Sequence, residues 1–349
     1  MPKLILTMAD IAARRGTDKE IGLVQQIINY SPEITTIMGR TVPGTFVDGK
    51  IQIGIPTGGA FRAVNAAVQT SASSYEKRRF NAFFFDAQLA VDEAMLAAAE
   101  QQGDSLGDLQ ADEVAGALQN KAILFSKQFY GQSLAGNVAG ALDPNGFPSL
   151  LNLFYMFNGG DGKGGIIDSR TGSTIVNFID ANPGSVNPAC EIVWYVWCHP
   201  QGVHFIFGGN KTIDVNPWVW QYDNVPGGAP GARRRASLSN ISGWIGLSCM
   251  HPFAIFAIIN IDGAHQWTDS LSDQLHELMP VSIKPTHVFA TKRAIGGLQR
   301  SRTVTLMGQG TMQPDQPNIA AWPTTDSMGI PIVPTDGINL GAAITSSTL

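Results

Sequence analysis

Residues 43–85 run outward and return with almost nothing to bury. Residues 46–47 and 50–53 flank Asp48-Gly49, a dipeptide favoured in tight hairpin turns. Residues 55–60 and the Ala/Ser/Gln-rich stretch 63–74 have little to bury. The return segment, 75–85, alternates: Glu76, Arg78, Phe80, Ala82 and Phe84 share one face, and Tyr75, Lys77, Arg79, Asn81 and Phe83 the other. A two-stranded ribbon charged on both faces cannot form its own core, and an isolated hairpin is marginal in water. The segment therefore belongs to one of two kinds of structure: a mobile loop, or an arm that packs on a neighbouring molecule.

Composition leans toward the second. The 349 residues suffice for one large domain or two ordinary ones. Charged residues make up 15% of the chain, where about 25% is usual. Interfaces of obligate assemblies are depleted in charge. A secreted or loop-rich globular protein with 38 Gly and 20 Pro would read the same way. The formal net charge of −5 argues against a dedicated nucleic-acid binder. It leaves room for a container whose DNA is neutralised by small cations. Arg233, Arg234 and Arg235 read as a solvated loop. Three cysteines, Cys190, Cys198 and Cys249, fit neither a disulfide framework nor a zinc site, so a reducing compartment is expected. The longest apolar stretch, 252–259, is far shorter than the roughly 18 residues of a membrane span. The start lacks a signal-peptide apolar region. The expectation is a chain that stays in the cytosol of the cell that makes it, with no membrane partner.

Periodicity predicts helices over 86–102 (Val91, Ala94, Met95, Ala98), 108–130 (Val114, Leu118, Ala122, Phe125, Phe129), 268–279 (Leu271, Leu275, Leu278) and 293–300. Asp108 and Thr268 are expected N-caps, Gly131 the residue just past a helix end, and Pro280 a stop. Strands are predicted at 174–179, 190–198, 203–207, 286–291 and 330–333, with two more runs around Pro252 in 244–261. The turn His199-Pro200-Gln201-Gly202 predicts that 190–198 and 203–207 form a hairpin. Residues 131–172 read as loop-rich with an apolar patch at Leu150, Leu151 and Leu153, and 214–235 as a Trp/Pro/Gly-rich loop. The tail after 338 is expected to fray.

Catalytic chemistry is hard to find. Residues 159–165, GGDGKGG, fail the phosphate-loop pattern at both ends. No pair among His199, His204, His251, His265, His276 and His287 has metalloprotease spacing. Ser248 lacks the second glycine of a nucleophile elbow. Asp92-Glu93 and Asp112-Glu113 are adjacent on expected helices, where neighbouring side chains diverge. Trp194, Trp197, Trp218 and Trp220 admit a ligand cleft, and with it the alternative of a hydrolase or a monomeric ligand-binding protein. A core or interface role fits them better. No catalytic, cofactor-binding or metal-binding residue is assigned.

Three stretches carry a resemblance. They are MADIAARRGTDKEIGLVQQIINYSPEI (8–34, continuing to 54), GWIGLSCMHPFAIFAIINID (243–262), and LSDQLHELMPVSIKPTHVFATKRAIGGLQRSRT through GIPIVPTDGI (271–338). Together, in this order, they resemble the major capsid proteins of tailed bacteriophages, of the podovirus-type subfamily and the HK-ninety-seven-like fold. The resemblance implies an α+β fold: an N-terminal arm (1–42), an extended β loop (43–85), a peripheral domain (86–145) with a spine helix at 108–130, and an axial domain in two parts (146–173 and 263–349). Residues 174–262 would be a β-rich segment mainly of the peripheral domain. It further implies a non-enzymatic subunit that self-assembles into hexamers and pentamers of an icosahedral virion shell in the host bacterial cytoplasm. That shell would hold double-stranded DNA by non-specific proximity. Scaffolding, portal and decoration proteins are the other partners it admits. Arg62, Lys77, Arg78 and Arg79 are the expected intersubunit contacts.

Overall fold

A single long strand organises half of the fold. The computed structural model describes residues 31–54, 56, 61, 70–94, 97, 106–134, 138–140, 143–158, 166, 174–185, 187–210, 213–224, 233–308 and 321–344. In chain order its elements are α1 (Glu33–Thr36), β1 (Gly39–Thr41), β2 (Phe46–Gly54), β3 (Ser74–Asn81), β4 (Phe83–Asp92), α2 (Leu106–Tyr130), β5 (Gln132–Leu134) and β6 (Val138–Gly140). There follow α3 (Leu150–Asn158), β7 (Phe178–Asp180), β8 (Glu191–Val196), β9 (Val203–Phe207), β10 (Asp214–Val215), β11 (Val219–Asn224) and β12 (Arg233–Cys249). The chain closes with β13 (Ile255–Ile261), α4 (Asp269–Leu278), β14 (His287–Ala290), α5 (Lys292–Gly308) and β15 (Ile332–Pro334). The first thirty residues of the expected arm, Arg62 with most of the distal ribbon, and the run 159–165 lie outside the described residues.

The long strand is β12. It pairs with β4 along one edge, antiparallel, from Ala236 opposite Asp92 to Ile245 opposite Phe83. Along the other edge it meets β11, β10 and β9 in turn, and β1 adds to β9 in parallel. The helix α2 spans 25 residues, roughly 37 Å at the usual rise. It crosses this six-stranded sheet with Phe125 edge-on to Phe85, ring centroids 4.9 Å apart. Its last turn is fully buried through Phe129 and Tyr130, while Leu118 remains 42% exposed farther up. Gly131 ends it at φ +74°, and its N–H donates to the Lys127 carbonyl at 3.0 Å. A side chain there would collide with Ser149, so glycine is required twice over.

The second layer is a five-stranded sheet ordered β15-β14-β8-β13-β7. Its central strands are covered on both faces. Trp194, Val196, Ile255, Ala257 and Ile259 face α3, and that same core reaches Phe129, Phe205 and Leu247 of the first layer. Val193, Tyr195, Phe256 and Ile258 face α4 and α5, against Leu275, Ala294, Ile295 and Leu298. Strands buried twice read as continuous apolar runs, as 191–196 and 255–261 do. Residues 31–37 are pinned to the body by Glu33, buried on α1. Its Oε1 accepts the Tyr130 hydroxyl at 2.8 Å and the Thr335 hydroxyl as well.

The expected helix 108–130, its C-terminal glycine, the Thr268 cap and the last two strands are all present. Thr268 Oγ1 accepts from the Leu271 N–H, and β14 and β15 lie parallel. Several expectations are corrected. Residues 86–92, expected to be helical, continue β4, because a free edge of β12 captures them and sheet pairing outweighs the helix preference of an Ala/Gln/Leu run. The expected hairpin of 190–198 with 203–207 does not form. Its turn closes, Gly202 N–H to the His199 carbonyl at 2.9 Å, but β8 and β9 diverge into different sheets. Each is apolar on both faces and takes two other neighbours. Residues 150–158, part of a stretch expected to be loop-rich, form α3. The loop expected at 214–235 contains β10 and β11, and Arg233, Arg234 and Arg235 open β12. There Arg234 meets Asp92 and Asp223, and Arg235 meets Glu93 at 2.7 Å. The tail is held through residue 344: Gly341 bridges Cys190, and Asn260 bonds both backbone polar groups of Ile344.

Candidate assembly surface

The ribbon is built from β2 and β3, antiparallel, with Phe46 opposite Asn81, Asp48 opposite Arg79, Lys50 opposite Lys77 and Gln52 opposite Tyr75. Asp48-Gly49 is thus mid-strand, not the expected turn. The reason lies in the tertiary packing. A Cβ on Gly49 would collide with the Met250 sulfur, so glycine here admits Met250 of the body. Asp48 is held by its cross-strand cations, Lys77 Nζ at 2.6 Å and Arg79 Nε at 2.7 Å.

The two faces of the ribbon differ in kind. On the inner face Phe80 and Ala82 are buried and Val47 packs on the core. Arg78 is only 9% exposed, donates to the Met250 carbonyl at 3.3 Å and lies near Glu76 at 3.5 Å. On the outer face Phe46, Asp48, Lys50, Gln52, Tyr75, Lys77, Arg79 and Asn81 are all exposed. Arg79 stacks over the Phe46 ring at 4.1 Å and Lys50 over Tyr75 at 4.0 Å. Hydrogen bonds from Arg79 and Lys77 hold the Asp48 carboxyl well below the usual carboxylate range. An open groove lined by Asp48, Gly49, Lys50, Tyr75, Glu76 and Lys77 runs along the ribbon, with a volume of about 380 Å³.

The structure therefore separates the residues that the sequence grouped. Lys77 and Arg79 come together on Asp48, on the open face. Arg78 points inward and is used within the protomer. Arg62 lies outside the described residues. Sequence reasoning did not name Phe46, Lys50 or Tyr75 as contact candidates. The signal was available for Tyr75, which shares the alternation of Lys77 and Arg79, but not for the β2 residues, because the supposed turn at Asp48-Gly49 hid their register. The strand also changes sheet at Ala82, whose N–H bonds to Thr45. Past that point the alternation inverts: Phe83 and Phe85 pack on the core and Phe84 is exposed.

A reactive centre is not what the described residues assemble. The buried cavity beside Tyr130, Cys190, Trp194 and Asn260 measures about 10 Å³, room for one water. Burial pushes all three thiols up, Cys198 to about 11, which suppresses the thiolate. Trp194 is core, in edge contact with Phe154 at 5.7 Å. Trp220 lies on β11 beneath the Arg235 guanidinium, 5.4 Å from its ring centre. No group of three or more His, Cys, Asp or Glu among the described residues could hold a metal ion. No helix of the described residues is long and apolar enough to cross a membrane.

Neither a family model nor a curated protein matches the sequence. Solved structures do. The chain matches one from the cryo-EM structure of bacteriophage Epsilon15 with a TM-score of 0.65 and 17% identity, over 99% of both chains. It also matches a chain of the bacteriophage JBD30 capsid with a TM-score of 0.50 and 11% identity, over 95% of this chain and 99% of that one. The fold is the tailed-phage capsid fold. At these identities the likeness is one of fold and not of side-chain detail. The Trp-rich segments contribute β8, β11 and β12 to the two sheets.

Proposed function

We propose that this chain is the major capsid (head) protein of a tailed bacteriophage, a non-enzymatic subunit that assembles into hexamers and pentamers of an icosahedral shell around double-stranded DNA. The observation that carries this reading is the end-to-end likeness to a capsid chain in a molecule whose ribbon keeps one aromatic and cationic face bare. Phe46, Tyr75 and Arg79 on that face are of the residue types enriched at interfaces, and a shell repeats one such contact between identical copies. Contacts of modest strength suffice, because each is repeated around a closed shell. The low charged fraction and the acidic balance suit a container rather than a sequence reader.

In this reading the outer ribbon face, with Lys77 and Arg79, is an intersubunit contact. Arg62 joins it as a proposal from the sequence alone. The six-stranded sheet and α2 form the peripheral part, and the five-stranded sheet with α3, α4 and α5 the axial part. Residues 174–262 contribute strands to both. The particle would form in the host bacterial cytoplasm, with scaffolding, portal and decoration proteins as further partners.

The test is assembly of the purified chain, followed by sedimentation velocity and negative-stain electron microscopy. Closed shells or capsomer rings are the expected outcome. A monodisperse monomer under all assembly conditions, with or without co-expressed scaffold, would overturn the proposal.

A further inference from the structure

Among the described residues, exposed like charges face each other on the ribbon and on α4. Lys50 and Lys77 face each other directly across the ribbon, an arrangement that costs stability when nothing lies between the cations. Lys77 is shared with Asp48, and among the described residues Lys50 has the Tyr75 ring as its partner. On α4, Asp273 and Glu277 are exposed one turn apart, and like charges at that spacing also destabilise. Neither acid has a hydrogen-bond or ion-pair partner among the described residues. Other acids are committed: Asp269 to Arg302, Asp326 to His276, Asp92 to Arg234 and Glu93 to Arg235.

We infer that the ribbon groove of one copy docks on α4 of a second copy, with Lys50 and Lys77 paired to Asp273 and Glu277. The inference rests on the shell reading above and names the partner surface within it. Three observations support it. The spacings match, since cross-strand Cβ atoms lie about 5 Å apart and i,i+4 helical Cβ atoms about 6 Å. Within one protomer the contact is not made: the ribbon lies against β12, and α4 against the five-stranded sheet. The groove also carries Asp48 and Glu76 beside its lysines, so two discrete acids with neutral Ser270 and Gln274 as neighbours on α4 meet less repulsion there than the denser charge of a continuous phosphate backbone would.

Charge reversal tests it. In the chain carrying Lys50→Glu and Lys77→Glu, shell yield should fall at least tenfold while circular dichroism and thermal unfolding stay unchanged. Adding Asp273→Lys and Glu277→Lys to that chain should restore most of the yield, because every copy then carries both reversed surfaces. In a separate variant, Lys50→Cys with Glu277→Cys should give an intermolecular disulfide ladder in assembled shells. Undiminished assembly of the double lysine variant overturns the contact. So does a loss that the acidic reversals fail to rescue, which would point to DNA phosphate or another surface. In both cases a wild-type chain that still forms shells leaves the shell reading standing. A wild-type chain that stays monomeric removes that reading and the contact together.

Discussion

The five-stranded sheet and the ribbon solve the same problem in opposite ways. Both are strands with two faces. In the sheet, Val193 to Val196 and Ile255 to Ile259 are at most 1% exposed, because α3 closes one side and α4 with α5 the other. In the ribbon, one face rests on the body through Arg78, Phe80 and Gly49, and the other is open along its length. The sheet completes itself within the chain and supplies its stability. On the proposed reading the open half of the ribbon is a surface to be matched by another copy. Stability and assembly would then be carried by different residues, which variants can separate.

The largest effect should come from the closed region. Phe154 is fully buried and touches Trp194 and Phe178. Phe154→Ala should cost about 3–5 kcal/mol in urea unfolding, and a loss under 1 kcal/mol would mean that α3 does not close that face of the five-stranded sheet. Next comes the seam between the regions. Gly49→Val should destabilise by about 1–3 kcal/mol through overpacking against Met250. Combining it with Met250→Ala should recover part of that loss; strict additivity would show that the ribbon does not seat there.

The third effect is one of pH. Burial holds the His204, His251 and His287 imidazoles below their ordinary value. They are therefore neutral in the fold, and the unfolded chain takes up their protons first as pH falls through about 6.5. Where the unfolded state binds more protons, stability rises with pH. The stability these groups contribute is full above about pH 6.5 and declines below it. The urea midpoint should drop between pH 7.5 and 5.5, and His204→Phe should flatten that slope. The smallest effect on stability belongs to the open face. Lys77→Ala with Arg79→Ala should change the unfolding free energy by no more than about 0.5 kcal/mol, yet impair assembly. A large loss of subunit stability would assign the face to the protomer itself.

Much of this architecture was legible in the sequence, and the failures have a common cause. The helix 108–130 with Gly131, the Thr268 cap, and the strand–helix–strand run at 286–333 are set by local signals that tertiary structure left alone. The misreadings fall where long-range pairing decides. Residues 86–92 have helical composition but lie beside a free edge of β12. Residues 190–207 have a good turn, but both flanking strands are apolar on two faces, and such strands can be claimed by separate sheets. Leu150 to Asn158 is apolar nearly all round, so no periodicity marked it as a helix. At the candidate surface, alternation correctly placed Lys77 and Arg79 together on one face with Arg78 on the other. Gly49 was mistaken for turn chemistry because its reason, the closeness of Met250, lies 201 positions away.

The central claim is that the bare face of the ribbon is completed by another copy of the chain. A near-atomic cryo-EM map of assembled particles tests it most directly. The account predicts density for residues 46–54 and 74–81 lying across an adjacent subunit, with Phe46, Lys50, Tyr75 and Lys77 covered. Density that leaves this face open to solvent, or folds it onto its own protomer, would contradict it.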